Sequence, residues 1–217
     1  MLIKRSRNNP PRYAKRYPNI SHEKKCIFVH PPKCAGKSIE KCIFNKEPIK
    51  GSADHRMIWQ HREILGKSFD SFKSFSFSRN PFDRLVSLYE FRKEQYKGPA
   101  AEMDFKRWIM SQQDPATWEW APDPLVPNPG KHVIERLQFD YMSDPETGNL
   151  CLDFIGRVEN IQHDWKVICR EILNEDIELL HLNKSKRRHY KEYYDSTTRT
   201  HVSKLWEKDL DIFKYSF

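Results

Sequence analysis

The feature that most limits what this chain can fold into is the run Lys25-Cys26-Ile27-Phe28-Val29-His30-Pro31-Pro32-Lys33-Cys34-Ala35-Gly36-Lys37-Ser38-Ile39. Ile27, Phe28 and Val29 are consecutive strand formers, the pattern of a strand buried on both faces in a parallel sheet. Two prolines stop it. Gly36 permits a close backbone approach or an unusual φ, and Ile39, Cys42 and Ile43 then recur at helical spacing. The run therefore predicts a strand, a tight turn and a helix. The first N–H groups of such a helix lack intrahelical partners and carry the positive end of its dipole. With Lys33, Lys37 and the Ser38 hydroxyl they make a cradle for a phosphate or phosphate-like anion.

At 217 residues the chain suits a single domain, long enough to bury about 70% of its unfolded surface. Lysine and arginine outnumber aspartate and glutamate by 38 to 30, a formal charge of +8, which favours anionic ligands without specifying a fold. Cys26, Cys34, Cys42, Cys151 and Cys169 are odd in number and contain no C-x-x-C pair, which argues against a zinc site or a disulfide framework. Cys26, Cys42 and Cys169 read as small core residues. No apolar run is long enough for a signal peptide or a membrane span, so a cytoplasmic location is expected. Residues 1–23 are polar and basic, with Pro10, Pro11 and Pro18 and no helical period. They predict a flexible basic arm ahead of one domain over 24–217, its charges solvated rather than gripping nucleic acid.

Within that domain, Asp54 is placed to cap a helix from His55 to Leu65 that Gly66 closes. Phe72 to Ser78 alternates with period two and predicts a strand. It leads into Asn80 as an N-cap, Pro81 at the first helical position and Asp83 where a carboxylate favours the dipole, with Leu85, Val86, Leu88 and Tyr89 facing a core. A short helix is expected around Phe105, Trp108 and Ile109. Residues 114–130 carry five prolines and two tryptophans, Trp118 and Trp120, and read as a binding segment or lid. Residues 131–138 suggest another helix. A turn at 144–149 leads to a strand over 150–160, Asn160 caps a helix through Trp165 and Ile168, and Asp195 caps the last one, with 213–217 packing the terminus down.

Spacing decides what kind of anion loop this is. A Walker A loop requires G-x-x-x-x-G-K-[ST]; Gly36-Lys37-Ser38 supplies its second half, but Pro31 occupies the place of the first glycine. The segment instead resembles the I-P-K-T-A-G-T-S element of sulfotransferases, in the family that includes carbohydrate sulfotransferases and small bacterial relatives, with Pro31, Cys34 and Lys37 standing for Ile, Thr and Thr. Three more blocks resemble the same family in the same order: Arg62-Glu63-Ile64-Leu65-Gly66 after His55, Arg79-Asn80-Pro81-Phe82-Asp83-Arg84-Leu85-Val86-Ser87, and Asp153 to Asn160. Leu182-Asn183-Lys184-Ser185 with Tyr190, Tyr193, Tyr194 and Asp195 is similar to the family's C-terminal pattern.

The resemblance implies a three-layer α/β fold with a central, mostly parallel sheet, like that of P-loop NTPases. It implies transfer of a sulfuryl group from 3′-phosphoadenosine 5′-phosphosulfate (PAPS) to an acceptor hydroxyl, with a glycan as the expected acceptor, no metal and no nucleic acid. Lys33, Cys34, Ala35, Gly36, Lys37 and Ser38 would hold the 5′-phosphosulfate, and Arg79 and Ser87 the 3′-phosphate. Ser185, Lys186 and Arg188 would add contacts near the adenosine. His55 would be the general base, with His61 in reserve and His30 third, and Lys33 would offset charge on the leaving oxygen. Two other classes remain open on the residues alone. One is a P-loop kinase or NTPase using Mg²⁺–ATP, resting on Gly36-Lys37-Ser38 and a weak acidic strand at 150–153. The other is a non-catalytic module for polyanions, whose binding would depend steeply on salt.

Overall fold

The apolar run forms strand β2 (Cys26–Val29), buried at every residue. In this computed structural model, which describes residues 19–44, 55–95, 102–115, 136–180 and 187–217, β2 pairs in parallel with β3 (Lys73–Ser78). Strand β3 pairs in parallel with β4 (Phe154–Arg157). A two-residue strand β1 (Ile20–Ser21) lies antiparallel on the other edge of β2. The described order is β1-β2-β3-β4, a mixed α/β arrangement with a mostly parallel sheet. The arm expected over 1–23 thus has its end in the sheet: Phe28 N–H donates to the Asn19 carbonyl at 2.8 Å, and Ile20 sits opposite Ile27. Polarity and prolines upstream concealed a two-residue edge strand.

Alternation along the strands divides the interior into two cores. Cys26 and Phe28 join Phe75 and Phe77 in one cluster, with Ile39 and Ile43 of helix α1 (Gly36–Phe44) and Trp165 and Ile168 of a helix further along. Ile27 and Val29 point the other way. There they meet Met57, Ile58, Leu85, Val86 and Tyr89, together with Trp108, Val202 and Trp206. A strand whose neighbours face opposite layers and are all buried has to be apolar throughout, as the β2 sequence is. On β3 the serines take the second face and find partners, Ser76 Oγ donating to the Val29 carbonyl at 2.7 Å and Ser78 Oγ lying 3.1 Å from Tyr215 Oη.

Helix α2 (Ile58–Leu65) begins three residues later than expected. Gln60 Oε1 accepts from Met57 N–H at 2.9 Å and so closes the start, leaving His55 ahead of the helix; Asp54 lies outside the described residues. Helix α3 (Pro81–Gln95) begins as predicted, with Asn80 Oδ1 accepting from Phe82 N–H at 3.0 Å. Helix α4 (Phe105–Met110) carries the expected Phe105, Trp108 and Ile109. Of the helix expected at 131–138, residues 131–135 lie outside the described residues; Arg136 and Leu137 are not helical, and helix α5 (Gln138–Met142) begins at Gln138. Its first two amides donate to the carboxylate of Asp209, at 2.8 and 2.9 Å, so its cap comes from the far end of the chain.

The turn at 144–149 is present, with Ser143 bridged to Leu150. The strand expected over 150–160 is trimmed at both ends. Asp153 turns its carboxylate onto Ser74 N–H at 2.8 Å, and Val158–Asn160 coils into a 3₁₀ turn. Asn160 occupies the N-cap position of α6 (Ile161–Ile168) but its amide donates to Asp164 rather than capping. Trp165 is core, its Nε1 donating to the Ile177 carbonyl at 2.6 Å. Asp195 caps α7 (Ser196–Leu205) by accepting from Thr198 N–H at 2.8 Å. Helix α8 (Glu207–Ile212) follows, and the Phe217 ring closes onto Phe82, Tyr190 and Tyr194. Cys26 and Cys169 are buried and Cys42 is half-buried; all five thiols are free. Among the described residues no helix is long and apolar enough to cross a membrane.

Candidate active site

The loop between β2 and α1 is held in a shape that ordinary residues avoid. Lys33 and Ala35 have φ of 69° and 61°, left-handed backbone at two non-glycine positions. Such conformations persist where surrounding structure enforces them, and alternating turns of this kind aim successive N–H groups to one side, as an anion nest does. Gly36 has a different reason to be glycine. A Cβ there would lie 1.7 Å from Nε2 of His30, whose ring end fills that space.

The turn after β3 is fastened to this loop. Arg79 Nη1 donates to the Lys33 carbonyl at 2.9 Å, and Arg84, 1% exposed, donates from Nε to the Pro32 carbonyl at 3.0 Å. Gln138, fully buried, clamps the two turns in register. Its Oε1 accepts from Arg79 N–H at 2.7 Å and from the Cys34 thiol at 3.2 Å, while its Nε2 donates to the Arg79 carbonyl at 2.8 Å. Lys33 and Arg79 therefore belong to one surface. Burial, then the charges of Arg79 and Lys37, push the Lys33 amine down to about 8. Its Nζ rests 4.1 Å from the centre of the Phe91 ring on α3. The Cys34 thiol, fully buried, is pushed up to about 12 and is no nucleophile.

Arg79 also pairs with Asp83, Nε and Nη2 at 2.8 and 2.7 Å from Oδ2. The other oxygen of Asp83 accepts from Arg187. Ser87 stands one turn beyond Asp83 on α3, half-buried. Arg188 lies apart from this trio, its guanidinium 4.9 Å over the Tyr193 ring, and Tyr193 Oη donates to Glu90 at 2.8 Å. Ser185, Lys186, Trp118 and Trp120 lie outside the described residues. Ser38 takes its place in the first turn of α1, its N–H on the Ala35 carbonyl at 3.1 Å. Glu159 accepts from Asn80 N–H and Tyr215 Oη, while Arg157 donates to the Phe213 carbonyl.

His55 lies beside the same loop. Its Nδ1 is 2.8 Å from the His30 carbonyl oxygen. A carbonyl can only accept, so Nδ1 carries the hydrogen and Nε2 holds the lone pair. Burial, reinforced by His30 and the charges of Arg84 and Lys33, drives its pKa well below the usual imidazole range, and the ring is neutral near pH 7. His61 is unsuited to the base role. Both its nitrogens are shut from solvent without a hydrogen-bond partner among the described residues, and burial with the Arg56 charge pushes it down to about 3.

Sequence reasoning missed Gln138, Arg84 and Arg187. Arg84 stands inside a recognised block yet acts through a carbonyl 52 positions away, and Arg187 was passed over for its basic neighbours. Gln138 gave no signal, because what it joins is assembled from distant turns. Among the described residues no cluster of three or more His, Cys, Asp or Glu is placed to hold a metal.

An uncharacterized protein of Archaeoglobus fulgidus is 27% identical over 124 residues, which is 56% of this chain and 86% of that protein. No solved structure matches the chain. The model of the sulfotransferase family matches residues 18–216, and the chain belongs to that family.

Proposed function

We propose that this transferase moves a sulfuryl group from PAPS to a hydroxyl of a carbohydrate acceptor, in a fold of the P-loop-like sulfotransferase type. The observation that carries the reading is the 2.9 Å hydrogen bond from Arg79 to the Lys33 carbonyl, which makes one cationic surface from two strand-end turns. A nucleotide with phosphate groups at both ends of its ribose fits such a surface. The donor supplies an activated sulfuryl group and a phosphate leaving group.

Around it, the left-handed loop at Lys33 and Ala35 offers main-chain N–H groups, and the Lys33 ammonium faces negative charge growing at the leaving oxygen. Arg79 and Arg187, both already turned toward the anionic Asp83, are the guanidinium pair for the second phosphate, with Ser87 on the same helix face. Ser185, Lys186 and Arg188 belong to the segment assigned to the adenosine side. His55 Nε2 accepts the acceptor's hydroxyl proton, its other nitrogen being committed.

The test is transfer of labelled sulfate from PAPS to a panel of glycans by the wild type, Lys33→Ala, His55→Gln and Arg79→Ala. The first two substitutions should abolish transfer, and the third should raise the KM for PAPS. Transfer at the wild-type rate by Lys33→Ala would overturn the assignment.

A further inference from the structure

His30 closes β2 and is 4% exposed. Its Nδ1 lies 3.0 Å from Oε1 of Glu40, one turn into α1, and both side chains are nearly shut from solvent. A carboxylate only accepts, so Nδ1 carries the hydrogen and Nε2 faces the opposite way, against Gly36. Phe28 stacks beside the ring at 5.5 Å, and His55 stands edge-on to it with centroids 4.5 Å apart. The main-chain oxygen of His30 also receives the Nδ1–H of His55. One residue thus touches the glycine of the anion loop, the candidate base and a buried carboxylate. Anion binding needs no such carboxylate, which adds negative charge beneath a cradle meant for anions.

The two imidazoles are backed differently. An imidazole with a carboxylate on Nδ1 is compensated when positive charge develops on it, whereas one backed by a carbonyl has its orientation fixed but little compensation. His55 is of the second kind. The charged groups around the pair are Glu40 on α1, Lys33 in the loop and Arg84 on α3, so Glu40 is the anion placed to balance them.

We propose that His30 and Glu40 are positioning residues for proton transfer, holding His55 and compensating the charge it acquires. This rests on the sulfotransfer reading. In the step, the acceptor O–H bond breaks as N–H forms at His55 Nε2, and the acceptor oxygen bonds to sulfur. The bond from sulfur to the leaving phosphate oxygen breaks with its electron pair. The positive charge then lies on the His55 imidazole, edge-on to the His30 ring that Glu40 backs.

Glu40→Gln keeps an acceptor for the His30 Nδ1–H and removes only the charge. Three measurements on the full chain decide the matter: calorimetric binding of 3′-phosphoadenosine 5′-phosphate, the pH profile of kcat for sulfate transfer, and ¹⁵N titration of the histidines. Glu40→Gln should bind the nucleotide like the wild type and lose about tenfold or more in kcat. The acid limb of its profile and the His55 titration should both move to lower pH, and Glu40→Asp should restore the limb. An unchanged kcat and limb, or losses in binding and kcat by one factor with the limb fixed, would overturn the proposal. If the wild type transfers no sulfate, the sulfotransfer reading fails, and the titration still judges the pair: His55 titrating identically in wild type and Glu40→Gln refutes it. Should Glu40→Gln fail to fold, His30→Gln is read by the same titration, where an unmoved His55 is again a refutation.

Discussion

Lys33 is where burial and function pull against each other. An ammonium packed beside Arg79 and Lys37 loses its proton more readily than a free lysine, and its pKa falls to about 8. Below that pH it is charged and attracts an anion; above it the charge drains away. Affinity for 3′-phosphoadenosine 5′-phosphate should therefore fall as pH rises past about 8, and Lys33→Arg, whose guanidinium keeps its charge, should flatten the dependence. Calorimetric titrations across that range check it. Cys34 leads to the opposite expectation. Its buried, protonated thiol should resist iodoacetamide in the native protein at neutral pH, and Cys34→Thr should keep donor affinity, since a hydroxyl can donate to Gln138 Oε1 as the thiol does. Lys33 and Arg79 were legible in sequence because each closely follows a strand end, and His55 because the Arg62–Gly66 block that resembles the sulfotransferase family fixes its register. Arg187 and Gln138 were not. Their partners, Asp83 and Cys34, are each 104 positions away.

Elements that carry their own punctuation were the readable ones. Strand β3 and helix α3 meet at Arg79-Asn80-Pro81, where the cap and the first helical residue are neighbours. The start of helix α5 is not legible in sequence because its cap, Asp209, belongs to α8. Helix α2 was started early because the side chain that closes it, Gln60, lies inside the helix, and His55 is drawn away toward the His30 carbonyl. The loop before α1 was legible as an anion turn and Gly36 as a place of close approach or unusual φ, but the group that approaches, the His30 ring, was not. A methyl at 36 would collide with that ring at 1.7 Å from Nε2. Gly36→Ala should thus displace either the imidazole or the start of α1. The expected result is loss of donor binding together with a lowered melting temperature, checked by calorimetry and thermal denaturation. Trp165, 2% exposed on α6, is the contrasting case. Trp165→Ala should cost about 3–5 kcal/mol in urea unfolding through the cavity it leaves, while folded protein at low temperature keeps its nucleotide affinity.

At the scale of the molecule, a single carboxamide links what lies far apart. Asp209 holds the start of α5, α5 carries Gln138, and Gln138 ties the Arg79 turn to Cys34 in the β2–α1 loop. The C-terminal helix is therefore coupled to the anion surface through buried hydrogen bonds, and both cores of the sheet meet at the loops that form it. A ligand spanning those loops should stabilise the whole fold rather than one region. Binding to the native state alone adds RT ln(1 + [L]/Kd), about 2.7 kcal/mol at a hundredfold excess over Kd. For a chain of this size that corresponds to roughly 5–10 °C in melting temperature. 3′-Phosphoadenosine 5′-phosphate should produce such a shift in the presence of a chelator, with lysine, arginine and main-chain amides neutralising the phosphates. Mg²⁺–ATP in its place tests the kinase alternative directly. Protection by Mg²⁺–ATP that vanishes with chelator, without protection by the 3′-phosphorylated nucleotide, would assign the loop to phosphoryl transfer.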